Sequence, residues 1–314
     1  MRDGVYRILT LGDSVAWGQG LLEQDKYHAL VAQHLPHGPG NSPPEESVVA
    51  HSGAVIGVGV QTVEPAADGE VPTAYPTILQ QVAHFNNSPE SVDLILMNGG
   101  INDVDIRDIL NPLTDSSHLR DWIQNHCHMH MKVLLDQVVT RFSLATAKIV
   151  VTGYYPILST SSDPDVFKPF LKVAGVAWLD VLGDAFEDPI KDKIAKNCRL
   201  FCDLSTEALQ QAVNEANNSP TGNGRILFVD AGFGPDNSVM APNAWLFGIG
   251  DDLDFSPQDE VIDARRKSCD RDETDVLQRW VCYRASAGHP NKLGAAQYAN
   301  QILASLKEAG FPIN

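Results

Sequence analysis

Basic residues and long apolar runs are what this 314-residue sequence lacks most clearly. It contains 23 lysines and arginines against 40 aspartates and glutamates, a formal net charge of −17. Because a surface of this sign repels phosphate backbones, we expect no nucleic-acid partner. No apolar stretch approaches the roughly 18 residues that a membrane-spanning helix needs, so we expect no transmembrane segment. The opening residues, 1–4, lead directly into an apolar segment, and we recognise no signal peptide there.

Cysteine is scarce and odd in number, with Cys127, Cys198, Cys202, Cys269 and Cys282. A disulfide between Cys269 and Cys282 would stiffen the short loop between them. The spacing of Cys198 and Cys202 suits either a second pair or one turn of a helix, and the odd count leaves at least one thiol unpaired. No compact Cys-x-x-Cys pair with downstream ligands is present, which argues against a zinc site of that type. Cysteine usage favours an oxidising compartment and a secreted protein.

Short apolar segments alternate with longer segments of helical periodicity along the whole chain. This alternation predicts the α/β class, with a central parallel sheet of about five strands and helices on both faces. No internal repeat or linker divides the chain, so we expect a single domain over residues 1–314, with excursions near 157–224 and 231–285. The predicted strands are 5–11, 47–51, 92–98, 148–153 and 225–230, and the predicted helices are 21–35, 77–85, 118–143, 165–218 and 290–308.

Four residues suited to acyl transfer fall at the ends of these elements. Ser14, Gly53 and Asn102 follow the first three strands, and His289 comes just before the last helix. The carboxyl ends of neighbouring strands in a doubly wound sheet form one rim, so Ser14, Gly53 and Asn102 are expected to converge. Taken alone, Ser14 could equally be a helix N-cap. Together they supply a nucleophile, a base and donors for an oxyanion.

The segments that carry these residues resemble the SGNH hydrolases, the family of GDSL-type esterases and lipases. Four blocks appear in family order: Gly12-Asp13-Ser14-Val15, Ser52-Gly53-Ala54, Gly100-Ile101-Asn102-Asp103 and Gly288-His289-Pro290-Asn291. The resemblance implies a flavodoxin-like three-layer α/β/α sandwich and a serine esterase or lipase acting on small-molecule or lipid esters without a cofactor. It implies Ser14 as nucleophile and His289 as base. It also implies an oxyanion hole from the Ser14 and Gly53 backbone N–H groups and the Asn102 side chain.

One position departs from the family pattern. The family usually has an aspartate three residues before the histidine, where this chain has Ser286. A serine hydroxyl cannot stabilise an imidazolium as a carboxylate does. One hypothesis is that the main-chain carbonyl of Ser286 orients His289. The other is a displaced acid, for which Asp230 at the end of the fifth strand is the candidate.

Two alternative functions fit the same residues. An acyltransferase would use Ser14 in the same way, with an alcohol replacing water as acyl acceptor. A non-catalytic ligand-binding module on the same fold would account for the missing aspartate. Asp13, beside the nucleophile, is interpreted as a structural residue that ties the turn by hydrogen bonds.

Two further clusters are assigned no role in metal binding. His126 and His130 would share one helix face and could hold zinc, with His128 and Cys127 between them. Because no glutamate follows in the metalloprotease pattern, an ordinary helix face is favoured. The acidic stretch 250–254 lacks the spacing of an EF-hand and is interpreted as a solvated loop.

Overall fold

A single sheet of five parallel strands forms the centre of the molecule. In the computed structural model, which describes residues 4–62, 69–70, 76–174, 176, 188–250, 256 and 258–314, the strands adjoin in the order β2-β1-β3-β4-β5. This is the order of the flavodoxin-like doubly wound fold, and it confirms the predicted class. The strands are β1 (Arg7–Leu11), β2 (Glu45–Val48), β3 (Leu94–Met97), β4 (Lys148–Thr152) and β5 (Ile226–Val229).

Burial explains which strands the sequence predicts well. All four residues of β3 are fully buried, as expected of a central parallel strand covered on both faces. The second strand begins at Glu45, two residues before its predicted start. Its first two residues are exposed glutamates, which an edge strand tolerates and an apolar-run criterion overlooks.

Helices cover both faces of the sheet and complete the three layers. Residues Tyr27–Ala32 (α2) pack with Lys292–Glu308 (α12) on one face. On the other face, Ile78–His84 (α3), Met131–Arg141 (α7) and Asp188–Asn217 (α9) pack together. The predicted helix 118–143 is α6 followed by the π-helical segment Gln124–His130 and α7. The helices are α1 (Ser14–Trp17), α2 (Tyr27–Ala32), α3 (Ile78–His84), α4 (Ile101–Val104), α5 (Ile106–Leu110), α6 (Ser116–Ile123), α7 (Met131–Arg141), α8 (Phe167–Val173), α9 (Asp188–Asn217), α10 (Ile262–Asp272), α11 (Val276–Tyr283) and α12 (Lys292–Glu308).

The two expected excursions supply further helices around the sheet. The first carries α8 and α9, and the second carries α10 and α11. The acidic stretch 250–254 falls almost entirely in 251–255, outside the described residues. Within the described ranges, no helix has both the length and the apolar character needed to cross a membrane.

A disulfide, one of the pairings that the sequence left open, joins two of these helices. Cys269 of α10 is bonded to Cys282 of α11, with their Cα atoms 5.9 Å apart. Cys198 and Cys202 lie one turn apart on α9 as free thiols, and Cys127 is a buried free thiol in the π-helical segment. The spacing of Cys198 and Cys202 therefore reflects a helix turn.

Candidate active site

Ser14 and His289 meet at the carboxyl end of β1, although they are 275 residues apart in sequence. His289 Nε2 lies 2.7 Å from Ser14 Oγ. Ser14 is the first residue of α1, immediately beyond the sheet, and His289 lies just before α12. A nucleophile within hydrogen-bond distance of a base is the arrangement that activates a serine hydroxyl.

Asp13 fixes the turn that presents Ser14. Its side chain is fully buried, and burial raises the pKa of its carboxyl group. Oδ1 accepts hydrogen bonds from the Val15 N–H at 2.8 Å and from Asn98 Nδ2 at 2.7 Å. The Tyr154 hydroxyl donates to Oδ2 at 2.7 Å. These bonds confirm the prediction that Asp13 is a structural residue.

Gly12 is required by the close approach of its neighbours. Its φ of +133° is unfavourable for a side chain, and a Cβ there would lie 2.1 Å from Asn98 Oδ1. Gln81 of α3 brackets its backbone, accepting from the Gly12 N–H at 2.8 Å and donating to the Gly12 carbonyl at 2.9 Å. The turn before Ser14 is therefore held by Asn98, which follows β3, and by Gln81 of α3.

The two other predicted oxyanion groups line the same cavity as Ser14 and His289. Gly53 adopts a left-handed φ of +74°, which glycine tolerates best. Asn102 Nδ2 donates one hydrogen bond to the Ala54 carbonyl at 3.0 Å. A side-chain amide has two donor protons, and the second has no hydrogen-bond partner among the residues that the structure describes.

Asp103 joins the turn of Asn102 to the segment that follows Gly53. Its two carboxylate oxygens lie 3.1 and 2.9 Å from the Ile56 nitrogen and accept its N–H. The two loops that would carry the oxyanion donors are thus cross-linked twice, by Asn102 and by Asp103.

The imidazole of His289 lies in a desolvated setting. Burial lowers its pKa to about 4, the positive charge of Arg265 adds to this effect, and the carbonyls of Ser286, Ala287 and Ala285 oppose it. Nδ1 is buried and forms no hydrogen bond with any described residue. The Ser286 carbonyl accepts the main-chain N–H of His289 at 2.9 Å.

Asp230, the displaced acid of the second hypothesis, is exposed at the end of β5. Its Oδ1 accepts the Gly232 N–H at 2.9 Å. No hydrogen bond among the residues that the structure describes connects it to His289.

The side chain of Ser286 points into a buried ion pair instead. Its hydroxyl donates to Asp259 Oδ2 at 2.5 Å. Arg265, which is fully buried, contacts the same carboxylate through Nη1 at 2.5 Å and Nη2 at 3.2 Å. Ser286 therefore contacts a buried carboxylate through its hydroxyl, and that carboxylate is paired with Arg265.

Glu70 extends this pair towards the nucleophile. Its Oε1 lies 3.8 Å from Arg265 Nη2. Glu70 also accepts hydrogen bonds from Trp17 Nε1 at 2.8 Å and from Gln19 Nε2 and the Gly20 N–H at 3.0 Å each. The histidine loop and the chain just after α1 are thereby joined through buried charges.

A largely apolar cavity of about 630 Å³ opens beside these groups. Its charged lining residues are Arg107, Glu273 and Arg284. α11 contributes Leu277 and Val281, and the disulfide residue Cys282 lies in the same wall. The apolar lining also includes Ile101, Ile106, Tyr155, Ile157, Phe170, Val173, Ala174 and Ala287.

Sequence reasoning missed the buried charged residues behind the site. Glu70, Asp259 and Arg265 belong to no motif. In a chain with this many carboxylates, the sequence does not distinguish these buried charged residues from exposed ones. The one available signal was Ser286 itself, since a missing acid invites a search for another.

Comparison with known proteins finds no matching family model and no matching curated protein. Several solved structures are similar over nearly the whole chain. A phospholipase A1 from Streptomyces albidoflavus NA297 is 15% identical with a TM-score of 0.49, covering 97% of this chain and 99% of that one. An aryl esterase from M. smegmatis is 14% identical with a TM-score of 0.42, covering 96% and 100%. A carbohydrate acetylesterase from Sinorhizobium meliloti is 14% identical with a TM-score of 0.40, covering 95% and 99%.

Proposed function

We propose that this protein is an SGNH-type carboxylic ester hydrolase that works through an acyl-enzyme at Ser14. The observation that carries the proposal is the 2.7 Å contact between Ser14 Oγ and His289 Nε2 at the edge of an apolar cavity. The lowered pKa of His289 keeps its imidazole neutral at pH 7, as a base must be.

In the proposed first half-reaction, Ser14 Oγ attacks the ester carbonyl carbon while His289 Nε2 takes the hydroxyl proton. The carbonyl oxygen becomes an oxyanion, stabilised by the Ser14 and Gly53 backbone N–H groups and the second amide proton of Asn102. When the tetrahedral intermediate collapses, the bond to the alcohol oxygen breaks. His289 returns its proton to the departing alcohol.

The second half-reaction repeats these steps with water. His289 removes a proton from the water as its oxygen attacks the acyl carbon, and then protonates Ser14 Oγ as the acid leaves. The main-chain carbonyls around His289 favour its protonated form in both halves. We propose that they do part of the work of the family aspartate, with Ser286 holding the loop through Asp259.

The lining of the cavity favours an apolar acyl group. Residues such as Ile101, Ile157 and Phe170 offer no charge to a substrate, whereas a polar acyl group would lose hydration there. We therefore propose esters with an apolar acyl chain as the substrate class.

A panel of nitrophenyl esters of rising acyl length tests this function. The wild type should hydrolyse them, with kcat/KM rising with acyl length until the cavity is filled. Ser14→Ala should lose the activity, while Ser117→Ala, which changes an exposed serine on α6, should keep it. A Ser14→Ala variant as active as the wild type would overturn the proposal.

The same panel separates hydrolase from acyltransferase, since both form the acyl-enzyme. Added simple alcohols should intercept only a small part of the product if water is the natural acceptor. Predominant ester exchange at low alcohol concentration would instead identify a transferase. Absence of any turnover, with ligand binding retained, would indicate a binding module.

A further inference from the structure

Three side chains that can bind a metal ion, and that take no part in the proposed reaction, lie close together. Asp103, His126 and His130 each place one ligand atom within 4.8 Å of the other two. The nearest approach is between His126 Nδ1 and His130 Nδ1, at 3.1 Å. All three side chains are partly exposed, so an ion in solution has access to them.

The surrounding backbone explains how residues from two separate elements come together. His126 and His130 stand four residues apart in the seven-residue π-helical segment, and such segments are rare and frequently occur at functional sites. Cys127, buried between them, packs against the turn before α4: a Cβ on Gly100 would lie 2.9 Å from its Sγ. This packing brings the histidines to Asp103.

The remaining histidine of the cluster has a different setting. His128 Nε2 lies 3.0 Å from Glu215 of α9, and its Nδ1 lies 2.7 Å from Gln124 Nε2. His126 and His130 therefore face Asp103, whereas His128, between them in sequence, faces α9. His128 offers a matched control.

We propose that Asp103, His126 and His130 form a binding site for a zinc-class divalent metal ion. Two imidazole nitrogens and one carboxylate oxygen are the ligands that Zn²⁺, Co²⁺ and Ni²⁺ share, whereas Ca²⁺ and Mg²⁺ prefer oxygen alone. Bonds of about 2.0–2.2 Å place two ligand atoms of one zinc ion about 3–4 Å apart, which the histidine pair already satisfies. Water would complete a four-coordinate site.

Binding of a metal ion to the histidine pair displaces one proton. Without metal, the 3.1 Å contact is an N–H···N hydrogen bond with one Nδ1 proton shared between the rings. The ion takes the place of that proton, which moves through solvent to the Nε2 of the same ring. Both imidazoles stay neutral, and the Asp103 carboxylate supplies the one negative charge. Since Asp103 also accepts from Ile56, the ion would connect the π-helical segment to the segment that follows Gly53.

Zinc titration of the full chain, after removal of bound metal with a chelator, tests this site. The wild type should bind about one equivalent of Zn²⁺, as a single three-ligand site requires. His126→Ala and His130→Ala should each weaken the affinity at least about tenfold, since loss of even an indirect supporting group costs that much. His128→Ala should stay within about twofold of the wild type.

Two further measurements distinguish loss of a metal ligand from poor folding of a variant. Co²⁺ should give the wild type the visible absorption of a four-coordinate ion, and Asp103→Asn, which keeps an acceptor for Ile56, should reduce it. Added Zn²⁺ should raise the Tm of the wild type and of His128→Ala, but not that of His126→Gln. A wild type that binds Zn²⁺ no better than His126→Gln, or a His128→Ala variant that loses binding equally, would overturn the proposal.

Discussion

Ser286 donates its side-chain hydroxyl to Asp259, 27 residues earlier in the chain, at a distance of 2.5 Å. A buried carboxylate is thus hydrogen-bonded to the loop that carries His289. It is paired with Arg265, and among the residues that the structure describes its hydrogen bond to the histidine loop comes from the Ser286 hydroxyl.

We expect Asp259→Asn to destabilise the fold strongly. The substitution leaves Arg265 buried with its charge uncompensated on that side, which typically costs about 3–5 kcal/mol in free energy of unfolding. Urea unfolding measures the change. Asp203→Asn, which breaks an exposed pair with Arg199 on α9, should cost less than about 1 kcal/mol and serves as the control. Equal effects from the two substitutions would contradict the buried network.

The acidic limb of the pH–rate profile should lie far below the ordinary histidine pKa of 6.5. Burial lowers the pKa of His289 to about 4, so its imidazole stays neutral and competent as a base as the pH falls from 8 to 5. We expect kcat/KM for a nitrophenyl ester to stay level over that range and to fall as the pH passes through about 4. A limb centred near 6.5, with circular dichroism unchanged, would show that His289 is more hydrated than the structure indicates.

The lowered pKa of His289 should also make the free energy of unfolding depend on pH, with stability falling as the pH falls. A histidine whose pKa is lowered in the folded state binds fewer protons than the unfolded chain between pH 6.5 and about 4. The contribution of His289 to stability is therefore full above pH 6.5 and is lost as the pH falls towards 4. His289→Gln should flatten the Tm profile over this window, and an unchanged profile would speak against the shift.

Removal of the disulfide should act on stability and on the cavity together. The Cys269–Cys282 bond closes a short loop, and a loop of this size contributes about 3 kcal/mol in the chain-entropy account. The double substitution Cys269→Ala and Cys282→Ala should lower the unfolding free energy by about that amount. It should also raise KM for long-chain esters more than for acetyl esters, because α11 lines the cavity. Equal KM changes for both substrates would show that α11 does not contact the acyl chain.

Asn102→Ala should reduce turnover with little change in substrate affinity. Loss of one oxyanion donor typically lowers kcat by about 10²–10³-fold. The Asn102 amide also holds the Ala54 carbonyl, so the Tm of the variant should be compared with that of the wild type. A kcat within about threefold of the wild type would show that Asn102 does not stabilise the oxyanion, since the expected loss is far larger.

The sheet and the meeting of Ser14 with His289 were both predictable from sequence. Parallel strands that are buried on both faces appear as apolar runs, and their carboxyl ends share one rim, which places Ser14 there. His289 precedes α12 and follows no strand, so its approach to Ser14 was an expectation from the resemblance of its sequence block to that of the SGNH hydrolases. The predicted start of β2 was two residues too late, because this edge strand begins with Glu45 and Glu46, which a search for apolar residues does not select.

The support behind the site could not be predicted in the same way. Asp259 and Arg265 lie six residues apart in an acidic excursion, and an ion pair has the same sequence pattern whether it is buried or solvated. Asp103 was visible as part of a motif. Its approach to His126 and His130 depends on how Cys127 packs against Gly100, which is a tertiary contact with no local signal.

Labelling with an organophosphonate, followed by peptide mass spectrometry, tests the central claim most directly. The proposed mechanism predicts one covalent adduct, located on Ser14, formed rapidly in the wild type and far more slowly in His289→Ala. No adduct on Ser14, or an equally fast adduct in the absence of His289, would contradict the proposal that His289 activates this serine.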